Sequence, residues 1–478
     1  ADVYPLAPLQ EGIFFHHLLE AGTGSDTYVL PMVLEFDGRE RLDAFVGALQ
    51  QVVDRHDVFR TGVVWEGLRE PVQVVWRKAK LPVHEVMLIA QAEDPVAELV
   101  AAGGLMMDLG KAPLLDVHVA QRPGTGMWLA LIRQHHLVQD HTAMDVMVDE
   151  VRAFLSGRGA ELPEPPLYRE FVAQARGGVS EAEHERFFGE LLAGVSEPTL
   201  PFGVAEVHGD GSGAKRAVRQ LDEHLAARLR EVARRLGVSP ATVTHVAYAR
   251  TLAAISGRDD VVFGTVLFGR MQAGAGADRA AGLFINTLPA RIQVGGVGVL
   301  QAITDTRQLL AGLLEHEHAP LAVAQRASSV PGDAPLFASI FNYRHTRSAP
   351  KRGAGAPAPA APGAPSRGGM RSVFSREQSN YPLAVAVGDQ GDGFDLVVDA
   401  VAPVEAHMVC GLLHTTIGSL VDALDALLDT DRDVLLDQVE VLSEDERERV
   451  LAAGHGAVVP VPGASVVELF EEQVRRSP

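Results

Sequence analysis

The sequence is poor in the residues that build several functional classes. It holds one cysteine, Cys410, in 478 residues, which excludes an internal disulfide and every metal motif that needs more than one thiolate. That cysteine sits in the apolar run "MVCGLL" and reads as a small, inert, buried hydrophobe. Basic side chains are outnumbered, 42 Lys and Arg against 62 Asp and Glu, for a formal net charge of −20. A surface of that sign repels phosphate backbones and anionic lipid, so neither nucleic acid nor a membrane is expected as a partner. No run approaches the ~18 unbroken apolar residues of a bilayer-spanning helix. The opening "ADVYPLAPLQEGIF" lacks the basic and apolar regions of a secretory leader. These absences point to a soluble protein of a reducing, cytoplasmic compartment.

What is present is apolar periodicity. Hydrophobic residues make up 47% of the chain, enough for more than one core at this length. In "RLDAFVGALQQVVDRHDVFRTGVVW" Leu42, Phe45, Val46, Leu49, Val52 and Val53 recur at helical spacing before a β-branched stretch, a helix delivering a strand. "PVQVVW", "DVHVA" and "MWLALIRQ" read as further strands, the last apolar enough to be covered on both faces. Met144, Met147, Val148, Val151, Phe154 and Leu155 mark one helical face, with Thr142 and Asp145 as a capping box. Later, "LAARLREVARRLG" and "SPATVTHVAYARTLAAISG" predict amphipathic helices, and "DDVVFGTVLFGR" and "LFINTLPARIQV" predict strands.

The style of the first half therefore repeats in the second, and the boundaries follow composition. Residues 1–175 and 176–440 are expected to form two α/β lobes, joined through a proline- and glycine-broken stretch near 157–185. Residues 348–369, nearly all Ala, Pro, Gly and Ser, predict a flexible loop. Residues 441–478 read as a tether to a following domain. The stretch "AGAGADR" at 273–279 lacks the Lys-Ser/Thr ending of a phosphate-binding loop.

The chemistry-bearing stretch is "QHHLVQDHT" at 134–142. His135, His136, Asp140 and His141 crowd the end of a predicted strand. A structural turn is one reading. A metal site is another, although the spacing lacks the H-E-x-x-H arrangement and neighbouring histidines on a strand point apart. The third is acid–base chemistry by an imidazole exposed at a strand end. Periodicity alone leaves the three open.

That stretch resembles the HHxxxDG signature of nonribosomal peptide synthetase condensation domains. The resemblance extends along the chain: "YPLAPLQEGIFFHHLL", "RHDVFRTGV", "YREFV", "GLFINTLPAR" and "SREQSNYPL" are similar to the family's further motifs, in the family's order. The family implies two chloramphenicol-acetyltransferase-like lobes in a V-shaped pseudo-dimer with a central tunnel. It implies no intrinsic cofactor or metal. Substrates arrive on the 4'-phosphopantetheine arms of upstream donor and downstream acceptor carrier proteins. The tail resembles the linker into an adjacent adenylation domain. By carry-over His136 is the catalytic residue, next to His135, and Asp140 pairs with an arginine, Arg60 first and Arg55 second. Asn286 and Arg291 hold the segment bridging the lobes.

His141 stands where the signature has glycine, and the D-H-T variant resembles the dual epimerisation/condensation subclass. "HHLLEAGTGSD" matches that subclass's extra motif in part, with Ser25 inserted before Asp26. The implied activity is inversion of the donor's C-terminal residue from L to D, then peptide-bond formation. His141, His16, His17 and Tyr343 are candidates for the second proton carrier, and Tyr343 and Asn380 for the tunnel lining. The competing expectations are an ordinary condensation domain, a catalytically silent recruitment platform, and a coenzyme-A-dependent acyltransferase.

Overall fold

Strands rich in Val, Leu and Ile alternate with helices through the chain, and their pairing produces two large sheets. One has five strands in the order Met370–Ser375, Val29–Phe36, Trp128–His135, Leu115–Gln121, Val83–Glu85. The other has six, in the order Asn286–Gln293, Asp260–Leu267, Ser339–His345, Leu383–Asp389, Phe394–Ala400, Lys215–Gln220. A three-stranded ribbon, Asp2–Pro5, Val72–Val75 and Thr61–Val64, accompanies the first. The computed structural model describes residues 2–20, 22, 24–89, 93–205, 213–270, 276, 279–332, 334–345, 369–375, 380–454, 456 and 463–477. The predicted loop falls almost wholly outside these residues, as does most of "AGAGADR".

Each sheet anchors its own core. The first core runs from Leu6 to Ala175 and takes in the helix Arg39–Arg55, which buries Leu42, Phe45, Leu49, Val52 and Val53 at the expected spacing. The strand Trp128–His135 is covered on both faces: Ala130 and Ile132 lie in the core with helix Arg39–Arg55, and Leu129 and Leu131 pack on the other side with helix Pro95–Gly103. The second core surrounds the helix Pro240–Ser256, capped by Ser239 and opened by Pro240 as its sequence predicts. That helix is not amphipathic in place. Helices Glu223–Leu236, Val299–Glu315 and Ala406–Thr430 pack around it and bury nearly every side chain. Ala406–Thr430 is long and apolar enough to cross a bilayer, yet Cys410, Leu413, Ile417, Leu420 and Leu424 on it belong to this core.

The two lobes exchange material, which composition did not reveal. Ala280, Ala281, Leu283 and Phe284 leave the second half of the chain and pack into the first core. The strand Met370–Ser375 pairs antiparallel with Val29–Phe36 and so becomes an edge of the first sheet. "LFI" at 283–285 is consequently no strand: the strand begins at Asn286, after the crossing. Gly282 adopts φ +141° there, and a Cβ at this position would lie 2.5 Å from the Tyr168 ring. Glycine is required for the segment to pass that closely.

Candidate functional site

The strand Trp128–His135 leads into the turn His136–Val138 and then into the helix His141–Leu155. The helix starts at His141 because Asp140 is its N-cap, accepting from the Ala143 amide at 2.8 Å. The expected Thr142–Asp145 capping box is therefore displaced by a cap two residues earlier. Its apolar face also differs at one end, where Leu155 is exposed and Glu150 is buried against Arg55 and His56.

His136 is half-buried, and its backbone amide donates to Tyr28 O at 2.8 Å. Its Nδ1–H donates to the Gln139 carbonyl at 2.6 Å. That bond leaves Nε2 as the nitrogen carrying the lone pair, with no hydrogen-bond partner among the described residues. The Tyr28 ring lies 6.4 Å from the His136 ring and 6.1 Å from that of His16. Burial pushes the Tyr28 phenol well above its ordinary range, so it stays protonated. Tyr381, from the second lobe, adds to that rise. Buried carboxamide atoms of Gln134 and Gln139 flank the turn without hydrogen-bond partners among the described residues.

His135 is fully buried and points elsewhere. Its Nδ1 accepts from the Leu137 amide at 3.2 Å, so Nε2 carries the proton and donates to Asp26 Oδ2 at 3.0 Å. His17 donates through Nδ1 to the same oxygen at 2.6 Å. Burial acts to raise the Asp26 carboxyl, but the hydrogen bonds from His135 and His17 hold it well below the usual carboxylate range. Burial pushes His135 below the usual imidazole range. His17, Asp26 and His135 are close enough to be considered as metal ligands. Two ligands on one tetrahedral zinc stand about 3.4 Å apart, from bonds of about 2.1 Å. The 2.6 Å and 3.0 Å separations here are those of hydrogen bonds.

Asp140 meets neither expected arginine. Its carboxylate receives Arg270 Nη2 at 2.6 and 2.8 Å and the Phe284 amide at 3.1 Å, with both charged side chains 1% exposed. Arg270 also donates to Ala280 O at 2.7 Å and stacks 3.9 Å from the Phe284 ring. Arg60 instead donates to the carbonyls of Trp76 and Arg77, and Arg55 to Glu150 and Pro163 O. Arg55 ends the helix Arg39–Arg55, and Arg60 ends the short turn Val58–Arg60 that follows it. Nothing local marks Arg270, because its partner lies 130 positions away.

The remaining candidates scatter. His141 is largely exposed, 4.0 Å from Asp145. His17 is sealed with Asp26, leaving His16 as the member of that pair nearer Tyr28. Tyr343 faces the helix layer of the second lobe and donates to Asp389 at 2.7 Å. Asn380 is half-buried beside Tyr381, whose ring stacks on Phe337. Asn286 donates to the carbonyls of Glu317 and Ala319, both at 2.8 Å, anchoring the end of the crossing segment. Arg291 does not bridge the lobes: it ties Asp260 to Leu191 O and Ala193 O inside the second. A second metal-capable group, His84, Asp116 and His118, lies at the first sheet's edge, where Arg133 holds Asp116 through both nitrogens.

Comparison with known proteins follows the same lines. The family described as "Condensation domain" matches residues 1–405. Malpinin synthetase of Mortierella alpina is 41% identical over 481 residues, covering 100% of this chain, while the chain spans only 6% of that relative's length. The first condensation domain of the calcium-dependent antibiotic synthetase, solved with a substrate analogue, superposes with a TM-score of 0.65 at 18% identity, covering 93% of this chain and 100% of that one. A four-domain nonribosomal peptide synthetase bound to AMP and glycine gives 0.75 at 13% identity, covering 99% of this chain and 36% of the other. At such identities the structural likeness establishes the fold, the two-lobed acetyltransferase-like α/β architecture expected from the sequence. The family match spans most of the chain, and the chain belongs to the condensation-domain family.

Proposed function

We propose that this domain forms a peptide bond between a donor acyl or peptidyl thioester and the amine of an acceptor aminoacyl thioester. Both substrates are carried on 4'-phosphopantetheine arms, which enter a passage between the lobes from donor and acceptor carrier proteins, with an adenylation domain adjacent. A solved relative that is a four-domain nonribosomal peptide synthetase supports these partners. The observation that carries the reading is the Nε2 lone pair of His136, without a hydrogen-bond partner among the described residues because Nδ1–H is taken by the Gln139 carbonyl.

The chemistry follows from that nitrogen. The acceptor amine attacks the donor carbonyl, the C–N bond forms, the proton on nitrogen passes to His136 Nε2, and the C–S bond breaks. The proton then leaves on the departing thiol. General-base help of this kind contributes roughly 10²–10⁴-fold, with tethering of both reactants supplying proximity. Asp140, Arg270 and His135 hold the turn in place.

A finer part of the proposal is inversion of the donor's C-terminal residue before condensation. Its support is the D-H-T variant at Asp140–Thr142 and the partial HHLL motif. His136 takes the α-proton, leaving an enolate of the thioester, and a group on the opposite face returns one. Tyr28, whose ring lies 6.4 Å from that of His136, and His16, 6.1 Å from Tyr28, are the candidates for that group. The test feeds donor thioesters ending in an L or a D residue, with wild-type and His136→Ala protein. D-configured product from both donors supports the dual activity. L-product from the L-donor reduces it to ordinary condensation. Undiminished product from His136→Ala refutes the catalytic reading and leaves the silent platform.

A further inference from the structure

The stretch "HHLLEAGTGSD" contains two residues, His17 and Asp26, that the reaction above does not use, although they are among the most buried polar groups near the site. We propose that Asp26 is the positioning residue of the reactive turn, its two carboxylate oxygens each starting a hydrogen-bond chain that ends on the backbone at His136 and Leu137.

The geometry is specific. Asp26 Oδ1 accepts the Tyr28 amide at 2.8 Å, and Tyr28 O accepts the His136 amide at 2.8 Å. Asp26 Oδ2 accepts His135 Nε2–H at 3.0 Å, and His135 Nδ1 accepts the Leu137 amide at 3.2 Å. Consecutive amides of the turn are therefore fixed by opposite ends of one side chain. His17 donates to Oδ2 as well, tying the carboxylate to the helix Pro8–Glu20. Asp26 is itself held by its amide, which donates to Leu105 O at 2.8 Å. All three side chains are at most 9% exposed, so water does not compete for these bonds.

Chemistry explains why a carboxylate is needed. Three N–H groups converge on Asp26, two from imidazoles on Oδ2 and one from the backbone on Oδ1. An ionised carboxylate accepts at both oxygens. An asparagine has one acceptor oxygen, and its NH₂ must face either the Tyr28 amide or the two imidazole donors. One chain must break in either orientation. The inserted Ser25 in the motif leaves this pairing intact, since Asp26 still reaches both histidines.

The inference rests on His136 being the proton acceptor, and the experiment separates the two claims. Asp26→Asn is expected to lower kcat by about 10–100-fold, the loss that a small misplacement of a reacting group produces. KM for either thioester is expected to stay within about twofold, because no substrate contact is removed. Asp26→Glu, which keeps both oxygens, should recover most of the lost kcat. A folded Asp26→Asn protein with wild-type kcat, or one that loses only KM, overturns the inference. So does Asp26→Glu being as poor as Asp26→Asn. If His136→Ala also retains activity, the proposed function fails instead. A readout independent of activity uses the wild-type chain with ¹⁵N-labelled histidine: His135 must appear as the neutral Nε2–H tautomer with a slowly exchanging proton. An Nδ1–H tautomer, or fast exchange, refutes the arrangement even if Asp26→Asn does not fold.

Discussion

The pair Asp140–Arg270 offers the sharpest test of how the lobes are joined, because both side chains are 1% exposed and they come from opposite halves of the chain. Asp140→Asn is the informative substitution. Asparagine is as good an N-cap as aspartate, so the bond to the Ala143 amide survives while the charge pairing and the acceptor for the Phe284 amide are lost. Arg270 keeps its bond to Ala280 O and its place over the Phe284 ring. Breaking a buried pair by removing one partner costs about 3–5 kcal/mol, against a typical total stability of about 5–15 kcal/mol. Arg270→Met removes the other charge, while the Ala143 and Phe284 amides still serve Asp140.

A double-mutant cycle isolates the interaction. The double variant should be less destabilised than the sum of the singles, by about 2–3 kcal/mol, whereas cycles of Asp140→Asn with Arg60→Met or Arg55→Met should be additive within ~0.5 kcal/mol. Urea unfolding followed by fluorescence and far-ultraviolet circular dichroism measures this. The three tryptophans, Trp65, Trp76 and Trp128, all lie in the first half, so fluorescence reports the lobe carrying Asp140. Coupling to Arg60 or Arg55, or none to Arg270, refutes the assignment.

Two further outcomes follow from buried groups. Tyr168 donates its hydroxyl to Leu283 O at 2.5 Å in the crossing segment, so Tyr168→Phe should cost about 1–2 kcal/mol through the orphaned carbonyl and speed amide exchange over 280–285. His245 is buried with Nδ1–H on Ala241 O and Nε2 on the Thr265 hydroxyl, and burial pushes its pKa down to about 4. The unfolded chain takes up that proton near pH 6.5 and the folded one only near 4. Stability should thus be full above 6.5 and fall by about 3 kcal/mol as pH drops to 4. His245→Gln should flatten that part of the urea-midpoint profile, and an unchanged slope would contradict it.

Helices and strands whose burial is set by local periodicity were legible: Arg39–Arg55 and Trp128–His135 lie where spacing puts them. The turn that carries His135, His136 and Asp140 follows the predicted strand as the sequence places it, with the three side chains within six positions of one another. What periodicity missed was set by distant partners. Asp26 is 109 positions from His135, and Arg270 is 130 from Asp140. The resemblance pointed to Arg60 and Arg55, but the one bonds to the Trp76 carbonyl and the other to Glu150. Tyr28 and Tyr381 flank the site without any pattern that sets an aromatic there apart from one in a core.

The exchange of segments changes what a lobe is. Phe284 and Arg270 belong by sequence to the second half, yet one fills the first core and the other neutralises the cap of the helix behind the reactive turn. Asp26 fixes the same turn from the opposite side, entirely within the first lobe. The position of His136 is thus set by one support that is internal to its lobe and one that the other lobe supplies. Loss of the internal support is expected to alter the turn while the lobes stay joined. Loss of the Asp140–Arg270 support removes both the cap's counter-charge and a connection between halves, so stability and catalysis should fall together. The two classes of variant can therefore be told apart by plotting kcat against unfolding midpoint: Asp26 substitutions should leave that line, and Asp140 and Arg270 substitutions should lie along it.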